Sequence, residues 1–332
     1  MKNRFLGQIK TEIFPIGVGA MSFSDFYGPV TKAQSHDILN YALEFGVNHL
    51  DTSDLYGNGV SEERIGSFLK NNPSSRDFFK IATKGGIEKI KSGKTRFNNS
   101  NEYLRKSLEN SLKRLNLDNI ELYYVHRLDS NRPIEEITNL LASFVKEGKV
   151  KQIGFSEISP TSLVRASKVH PVGAIQSEYS LSTRYPELGL VQRTLELETT
   201  LVAFSPVGRS LLTDKPLSYN NVKLIPFLKE NPRFSKENIE LNTQATMPFR
   251  VLAAEMGVSA ATLAIAWLLN RKPHVVPIPG TRSVENFKSL VEGAHLKLTK
   301  SDLQTIERIL PLGWAHGDRY SINQWVGPEK YC

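Results

Sequence analysis

Eight short apolar runs, each rich in residues that favour strands, alternate with helical patterns along the 332 residues of this chain. Strands that alternate with helices predict a parallel sheet covered by helices. Eight such repeats favour a closed (β/α)8 barrel, with a doubly wound open sheet as the alternative. The runs occupy residues 16–21, 47–52, 79–84, 120–126, 150–156, 173–177, 201–205 and 274–279.

The helical stretches between the runs have recognisable ends. Thr31 begins a T-K-A-Q capping-box spacing, and Gly46 follows the last residue of the same stretch. Pro133 stands where the first turn of a helix tolerates proline, and Gly148 closes that stretch. Leucines between residues 104 and 115 form a stripe at helical spacing. These signals support the alternation of strands and helices.

The alternation of strands and helices runs along the chain without a break that would separate two domains. No G-x-G-x-x-G motif follows an early strand, which counts against a Rossmann domain, and no linker divides the chain. We therefore expect one domain over residues 1–332, with an N-terminal hairpin around Gly7 that closes the bottom of the barrel. A long segment, residues 205–245, follows the seventh strand, where such loops usually have about 2–6 residues. We expect it to be a lid, partly ordered by Phe227 and Phe234.

Composition excludes several classes of function. The net charge of +8 is explained by a solvated basic surface, with attraction for a polyanion such as a phosphorylated cofactor as the alternative. Because the basic residues are scattered and no aromatic-basic module is present, we expect no nucleic-acid partner. No run of 18 apolar residues exists, so we expect no membrane span. The single cysteine, Cys332, closes no internal disulfide, and the start lacks a secretory signal, which predicts a cytoplasmic protein. The basic segment Lys84–Arg96 is predicted to be a flexible loop.

Four ionisable residues fall at or just beyond the ends of three neighbouring strands. Asp51, Lys84 and His126 end the second, third and fourth runs, and Tyr56 follows the second. Taken singly, each has a structural explanation as a helix cap, a snorkelling side chain or a core residue. Catalytic groups of a barrel, however, collect at the C-terminal ends of its strands. Because bringing four such groups together costs desolvation unless they pair, function is the better explanation.

The chemistry of these four residues suits carbonyl reduction. A free phenol has a pKa of about 10, which makes it a weak acid near neutral pH. We expect Lys84 to lower the pKa of Tyr56 and Asp51 to hold Lys84 charged and in place. His126 can donate a hydrogen bond to a carbonyl oxygen and orient it. Tyr56 is then the proton donor.

This arrangement resembles that of the aldo-keto reductases over residues 14–295. The resemblance rests, in chain order, on HLDTSDLYG, IATKGG, YYVHR, IGFSE, IQSEYS, AFSPVGRSLLT and PIPGTRS. It implies a (β/α)8 TIM barrel that binds NADP(H) in extended form without a Rossmann motif. It also implies a catalytic tetrad of Asp51, Tyr56, Lys84 and His126.

The same resemblance implies which residues hold NADP(H). Ser156 and Gln176 would bond the nicotinamide carboxamide and Phe204 would stack on the ring, while Glu157 replaces an asparagine that many relatives carry. Glycines, hydroxyls and arginines in two later loops would approach the pyrophosphate and the 2′-phosphate. Because Asn286 stands where many relatives have a second cation, we expect a moderate preference for NADPH. The full set is Gly19, Met21, Asp51, Ser156, Glu157, Gln176, Phe204, Ser205, Gly208, Arg209, Gly280, Thr281, Arg282 and Asn286.

The substrate class is a small carbonyl compound. The segments HRLDSNRPIEE and FYGPV are nearest to a bacterial and fungal branch that reduces assorted aldehydes and, in some members, pyridoxal. Aromatic and apolar residues supply a pocket wall, although ordinary packing explains them equally well, and the oligomeric state is not determined. The wall candidates are Met21, Phe23, Tyr27 and Phe97, with Trp314 or Trp325 from the tail.

Two other functions compete with this one. The potassium-channel β subunits resemble reductases and keep the tetrad, so a cofactor-binding regulatory subunit is the main alternative. A metal-dependent barrel hydrolase that uses Asp51, Asp54 and His126 is the other. Against it, the seven histidines show no H-x-H or H-x-x-x-H pairing.

Overall fold

Eight parallel strands follow one another in chain order around a single sheet. The computed structural model describes residues 3–90 and 94–331. Backbone N–H groups of Gly17 and Gly19 donate to the carbonyl oxygens of Pro277 and Pro279, both at 2.9 Å, and so join the first strand to the last. All eight predicted runs form strands, which confirms the (β/α)8 TIM barrel. The strands are β1 Val18–Gly19, β2 His49–Asp51, β3 Lys80–Gly85, β4 Ile120–Val125, β5 Val150–Ser156, β6 Val172–Glu178, β7 Thr200–Phe204 and β8 Val275–Pro277.

Helices cover the sheet, and their ends follow the predicted signals. The Thr31 side chain accepts from the N–H of Gln34, whose own side chain accepts from the N–H of Thr31, so the capping box is formed. Gly46 has the left-handed φ of 80° that ends this helix. The α-helices of the described residues are α1 Lys32–Glu44, α2 Val60–Asn71, α3 Asn101–Leu115, α4 Ile134–Lys146, α5 Pro160–Ser167, α6 Leu190–Glu196, α7 Tyr219–Val222, α8 Pro226–Lys229, α9 Lys236–Ala245, α10 Met247–Glu255, α11 Ala260–Leu269, α12 Val284–Glu292 and α13 Lys300–Ile309.

Within residues 3–90 and 94–331, no single helix combines the length and the hydropathy that a membrane crossing requires. One sharply bent pair of helical segments, 236–255 and 260–269, passes that test by length and composition only.

The N-terminal hairpin closes the bottom of the barrel, as predicted. Its strands, Arg4–Leu6 and Thr11–Ile13, pair antiparallel. Leu6 is buried among the residues that fill the barrel interior. The N–H of Gly7 donates to Oγ1 of Thr200, the first residue of β7, at 2.8 Å. Since Thr200 lies at the N-terminal end of its strand, the opposite end of the barrel is left open for a site.

The basic segment Lys84–Arg96 is not the flexible loop that we expected. Ile87–Lys89 and Thr95–Phe97 form an antiparallel hairpin, in which Arg96 Nε lies 2.7 Å from Glu88 Oε2. Because so many residues of this short hairpin are charged, its sequence does not show the alternation of apolar and polar residues that predicts a strand. Residues 91–93 of this segment lie outside the described residues, as does Cys332.

The segment after β7 carries more structure than a single long loop. It contains α7, α8 and α9, with three-ten turns at Gly208–Ser210 and Pro232–Phe234. Two helices of only four residues are too short to show a helical period, which is why the sequence did not predict them. The expected order around Phe234 is confirmed, because Phe234 is buried in a small apolar cluster that this segment forms. That cluster contains Leu211, Val222, Ile225, Leu228, Phe234 and Ile239.

Candidate active site

The four strand-end residues meet at the open end of the barrel. Lys84 Nζ lies 2.5 Å from Asp51 Oδ1 and 3.1 Å from Tyr56 Oη. The rings of Tyr56 and His126 meet edge to face, with centroids 5.9 Å apart. Asp51, Tyr56 and His126 all line a cavity of about 590 Å³. The sequence prediction that these residues converge is therefore confirmed.

Lys84 is completely buried, and each of its three N–H donors has an acceptor. Besides Asp51 and Tyr56, its Nζ donates to the backbone oxygen of Thr52 at 2.7 Å. Burial lowers the pKa of Lys84, but the neighbouring Asp51 and Tyr56 outweigh it and the net pKa is raised. Asp51 is itself held through its second oxygen, which accepts from Gln176 Nε2 at 2.7 Å. Lys84 is therefore a fixed ammonium directed at the phenol.

The phenol of Tyr56 differs from our expectation in its acidity. Burial raises the pKa of Tyr56, and although Lys84 lowers it, the net pKa lies above the ordinary value. The extent of burial could not be read from the sequence, so the prediction of a net lowered pKa was wrong. An ammonium has no acceptor, so in the Lys84 contact the phenol oxygen must accept. The phenol's own proton is thus free to point into the cavity.

His126 is neutral in this environment. Burial, followed by the charges of Arg127 and Lys84, holds the pKa of His126 well below its ordinary value. Its Nδ1 atom lies 3.1 Å from the hydroxyl oxygen of Ser53, a fully buried residue that the sequence did not single out. A neutral imidazole carries one N–H. With Ser53 as the donor to Nδ1, the ring proton lies on Nε2 and can be donated to a ligand.

Asp54 lies beside this pair without facing Asp51. Its Oδ2 accepts from Ser107 Oγ at 2.6 Å, and its Oδ1 lies 3.3 Å from Ser53 Oγ. Burial raises the pKa of Asp54 to about 6. Asp51, in contrast, is bound to Lys84 and Gln176, so the two carboxylates do not share a ligand position with His126. In residues 3–90 and 94–331 no group of three or more potential metal ligands is found.

The structure brings most of the predicted cofactor residues to the same cavity. Its walls are made by residues from β1, β2, β5, β6 and β7 and by the segments that follow β1, β2, β3, β4, β7 and β8. The backbones of Gly19 and Ile278 approach each other closely in this wall, since a Cβ on Gly19 would lie 2.5 Å from the carbonyl oxygen of Ile278. The predicted cofactor residues that line the cavity are Gly19, Met21, Asp51, Ser156, Gln176, Phe204, Ser205, Arg209 and Gly280.

Glu157 is not among the cavity residues, because its carboxylate is bound elsewhere. Its Oε1 accepts from the N–H of Glu178 at 2.8 Å and from Ser177 Oγ at 3.1 Å. Its Oε2 accepts from Arg319, in a buried ion pair with the C-terminal tail. Burial raises the pKa of Glu157, but Arg319 more than offsets this, so the net pKa is lowered. The carboxylate therefore holds the tail against the barrel and does not face the predicted nicotinamide position.

Arg209 lines the cavity but is already paired. Its guanidinium lies 2.8 Å from Glu178 Oε2 and 4.8 Å from the ring centroid of Phe227. Its Nε atom is buried and has no hydrogen-bond partner. The backbone here is left-handed, with φ of 51° at Ser205, 60° at Gly208 and 52° at Arg209. Gly208 itself does not line the cavity.

Three predicted cofactor residues lie beyond the cavity, where α12 begins. Arg282 Nη1 donates to the backbone oxygen of Pro29 at 3.2 Å. Thr281 Oγ1 accepts from the N–H of Ser283, which in turn caps α12 by accepting from the N–H of Asn286. Arg282 thus presents a cation next to the Gly280 end of the cavity.

The aromatic wall differs in part from the sequence prediction. Met21 and Tyr27 line the cavity, whereas Phe23 and Phe97 do not. Neither predicted tail tryptophan lines it: Trp314 Nε1 donates to Leu181 O at 2.8 Å, and Trp325 Nε1 to Asp318 Oδ2 at 2.7 Å. The tail contributes Tyr320 in their place. Its neighbour Arg319 binds Glu157, a contact across 162 residues that leaves no local pattern in the sequence.

Comparison with known proteins gives one consistent result. A family model described as "Aldo/keto reductase family" matches residues 15–311. "Probable aldo-keto reductase 1" of Glycine max is 37% identical over 316 residues, covering 95% of this chain and 90% of that protein. "Aldo-keto reductase yakc [NADP(+)]" of Schizosaccharomyces pombe is 35% identical over 309 residues, 92% of this chain and 91% of that protein. The structure of the glycerol dehydrogenase AKR11B4 from Gluconobacter oxydans superposes with a TM-score of 0.82 at 25% identity, covering 93% and 94% of the two chains.

Proposed function

The chain belongs to the aldo/keto reductase family, and we propose that it reduces an aldehyde or ketone to the alcohol with NADPH. The observation that carries the proposal is the contact of Lys84 Nζ with both the Asp51 carboxylate and the Tyr56 phenol, beside a neutral His126. A carbonyl oxygen placed between Tyr56 and His126 would meet two O–H or N–H donors.

The residues of the cavity fit NADP(H). A nicotinamide carboxamide has one acceptor oxygen and one NH2 donor. The Ser156 oxygen accepts from Arg127 at 3.0 Å, which leaves its own proton for the carboxamide oxygen. Gln176 uses its nitrogen on Asp51, which leaves its oxygen for the NH2 group. Phe204 supplies a half-buried ring in the same wall, and the yeast relative is named for NADP(+).

The protein's part in the reaction is to position the carbonyl and supply a proton. When bound, NADPH supplies a hydride to the carbonyl carbon. The electron pair of the carbonyl π bond takes up the Tyr56 proton at oxygen, so the products are an alcohol, NADP⁺ and a phenolate. Lys84 stabilises that phenolate by its charge and its hydrogen bond, and Asp51 keeps Lys84 in place. A proton from water then restores Tyr56, and the net consumption is one NADPH and one proton per alcohol formed.

NADPH is proposed to be preferred over NADH because of Arg282. A guanidinium can grip a phosphate through two parallel charge-assisted bonds, while a ribose hydroxyl offers it little. Among the described residues no carboxylate lies within ion-pair distance of Arg282, so its charge is available. We further propose that residues 1–332 act as one domain in the cytoplasm, and that residues 205–245 close over the cofactor.

Multiple-turnover kinetics test the proposal against a regulatory subunit that merely binds the cofactor. The purified protein is given NADPH and a panel of aliphatic, aromatic and pyridoxal-type aldehydes, and NADPH absorbance and alcohol are both followed. We expect many equivalents of NADPH to be consumed, with one alcohol formed for each. If, with every aldehyde, no more than one equivalent of NADPH is consumed per protein, the result contradicts the proposal and supports the regulatory alternative.

A further inference from the structure

Arg127 follows His126 directly and lines the same cavity. Its Nη1 atom donates to the backbone oxygen of His126 at 2.7 Å and to Ser156 Oγ at 3.0 Å. Its stem lies under the tail, since a Cβ on Gly327 would be 3.2 Å from Arg127 Cδ. One corner of the guanidinium is therefore fixed between the ends of β4 and β5.

The rest of this guanidinium is unpaired. Its Nε and Nη2 atoms have no acceptor among the described residues, and neither is enclosed. No carboxylate in that part of the chain lies within ion-pair distance of Arg127. The charge of Arg127 does reach Glu157, but the oxygens of Glu157 are bound to Arg319, Ser177 and the backbone. An arginine in a half-enclosed site without a counter-ion is an open anion position.

A second cation of the same cavity also lacks a counter-ion among the described residues. Lys89, on the hairpin beside the cavity, is exposed and also has no carboxylate within ion-pair distance in the described residues. The Asp51 carboxylate at the cavity floor is neutralised by Lys84, and Glu178 is neutralised by Arg209. Of the charged residues that line the cavity, Arg127 and Lys89 have no carboxylate within ion-pair distance in the described residues, and Asp25 is the carboxylate without a cation partner there. The unpaired cations of the wall therefore outnumber its unpaired carboxylate, which favours the approach of an anion.

We propose that Arg127 binds the carboxylate of an acidic carbonyl substrate through its Nε and Nη2 atoms, while the carbonyl lies between Tyr56 and His126. A carboxylate matches this edge of the guanidinium with two parallel hydrogen bonds. The proposal rests on the reductase function and narrows its substrate class to aldehydes and ketones that carry a carboxylate near the reacting carbon.

A purely structural role for Arg127 makes a different prediction. If the only role of Arg127 is to orient Ser156 and the end of β4, its removal changes kcat/KM by the same factor for every substrate. The ratio of kcat/KM for an acidic aldehyde to kcat/KM for a neutral one of the same length would then not move. That ratio is therefore the quantity to measure, because common losses in folding, cofactor binding or proton transfer cancel in it.

The test uses succinic semialdehyde and butanal, which differ by a carboxylate in place of a methyl group. In the unmutated protein we expect kcat/KM to favour succinic semialdehyde by about tenfold or more. Arg127→Met should bring the ratio close to one, and Arg127→Lys should retain part of it. Arg132→Met is the matched control, because Arg132 is bound to Glu136 outside this cavity. That control removes the same charge from the same loop and should leave the ratio unchanged.

The outcomes separate this proposal from the one on which it depends. Failure to reduce either aldehyde, or any other carbonyl compound, would overturn the reductase function itself. Reduction of butanal as efficient as that of succinic semialdehyde would overturn the carboxylate position alone. The carboxylate position is also overturned if Arg127→Met keeps the ratio of the unmutated protein. Added salt should lower the ratio, since it screens the charge of a half-buried cation.

Discussion

The Nδ1 atom of His126, which follows β4, lies 3.1 Å from the hydroxyl oxygen of Ser53, two residues beyond the end of β2 at Asp51. Both side chains are buried, and burial with the nearby charges of Arg127 and Lys84 keeps the pKa of His126 well below its ordinary value. A neutral ring held in this way has a fixed plane, and its tautomer depends on which partner donates. When Ser53 donates to Nδ1, the ring proton lies on Nε2 and can be donated to the carbonyl; when Nδ1 donates to Ser53, Nε2 is an acceptor.

Ser53→Ala should impair catalysis through His126. Loss of a buried hydrogen bond of about 1–3 kcal/mol predicts a fall in kcat of roughly 5- to 150-fold, with NADPH affinity little changed. Nitrogen NMR of the ring should show the proton moving away from Nε2. Ser61→Ala is the control, because it also removes a buried hydroxyl, which bonds Ala20 O and Thr52 rather than His126. An unchanged kcat together with an unchanged tautomer would contradict this role.

Asp54 should make stability depend on pH in an unusual direction. Burial raises its pKa from 3.8 to about 6, so the folded chain holds this proton more tightly than the unfolded chain does. The contribution of the Asp54 carboxyl to the free energy of unfolding is fully present below pH 4 and is lost as the pH rises through 6. The pKa of Asp54 differs by about two between the folded and the unfolded chain, and each pKa unit corresponds to roughly 1.4 kcal/mol. The upper value of this contribution to the free energy of unfolding is therefore near 3 kcal/mol.

Asp54→Asn mimics the protonated carboxyl at every pH. We expect its free energy of unfolding to exceed that of the unmutated protein by about 1–3 kcal/mol at pH 8, and to match it near pH 4. Urea denaturation at both pH values measures the difference. Asp37→Asn, at an exposed position on α1, should show no such change between the two values. A difference for Asp54→Asn that is the same at pH 4 and pH 8 would rule out the raised pKa.

Arg282 should set the cofactor preference. At about 1.5–3 kcal/mol for a charged hydrogen-bonded contact, NADPH should bind roughly 10- to 150-fold more tightly than NADH. Arg282→Ala should erase most of this preference by weakening NADPH and leaving NADH nearly unaffected. Arg308→Ala, an exposed arginine on α13, is the control for general loss of positive charge. Equal dissociation constants for both cofactors in the unmutated protein would show the assignment of Arg282 to be wrong.

The segment 205–245 should become protected when the cofactor binds. It supplies Arg209 and Phe227 to the cavity wall and packs in a small apolar cluster of its own. Hydrogen exchange of its backbone amides should slow on addition of NADPH, whereas the hairpin at residues 4–13, at the other end of the barrel, should not respond. Identical exchange of residues 205–245 with and without NADPH would count against a lid.

The fold and the meeting of the four strand-end residues could be predicted because both depend on local patterns. Each strand is a short β-rich run between helical stretches, and Asp51, Lys84 and His126 are placed by their positions at the ends of such runs. The barrel then brings them together without further information. The same reasoning predicted the hairpin at residues 4–13.

Features that depend on contacts between distant residues could not be predicted. Arg319 meets Glu157 only after the tail has returned to the barrel, and this contact removes Glu157 from the cavity and places Tyr320 in its wall. Burial is likewise a property of the folded chain, so the raised pKa of Tyr56 was not visible in the sequence. The sequence does not distinguish Ser53 from the other serines of the chain, because only the fold brings its hydroxyl close to His126.

Tyr56 is proposed to give the proton in an NADPH-dependent carbonyl reduction, and its own substitution tests this most directly. Tyr56→Phe keeps the ring and removes the donor, and general acid catalysis contributes about 10²–10⁴-fold, so turnover should fall by at least that factor. Steady-state NADPH oxidation with a reactive aldehyde, compared between the unmutated protein and Tyr56→Phe at equal cofactor saturation, measures the loss. We expect NADPH affinity to be retained and the turnover number to fall by at least about 100-fold. Near-full aldehyde reduction by Tyr56→Phe would contradict the role of Tyr56 as proton donor.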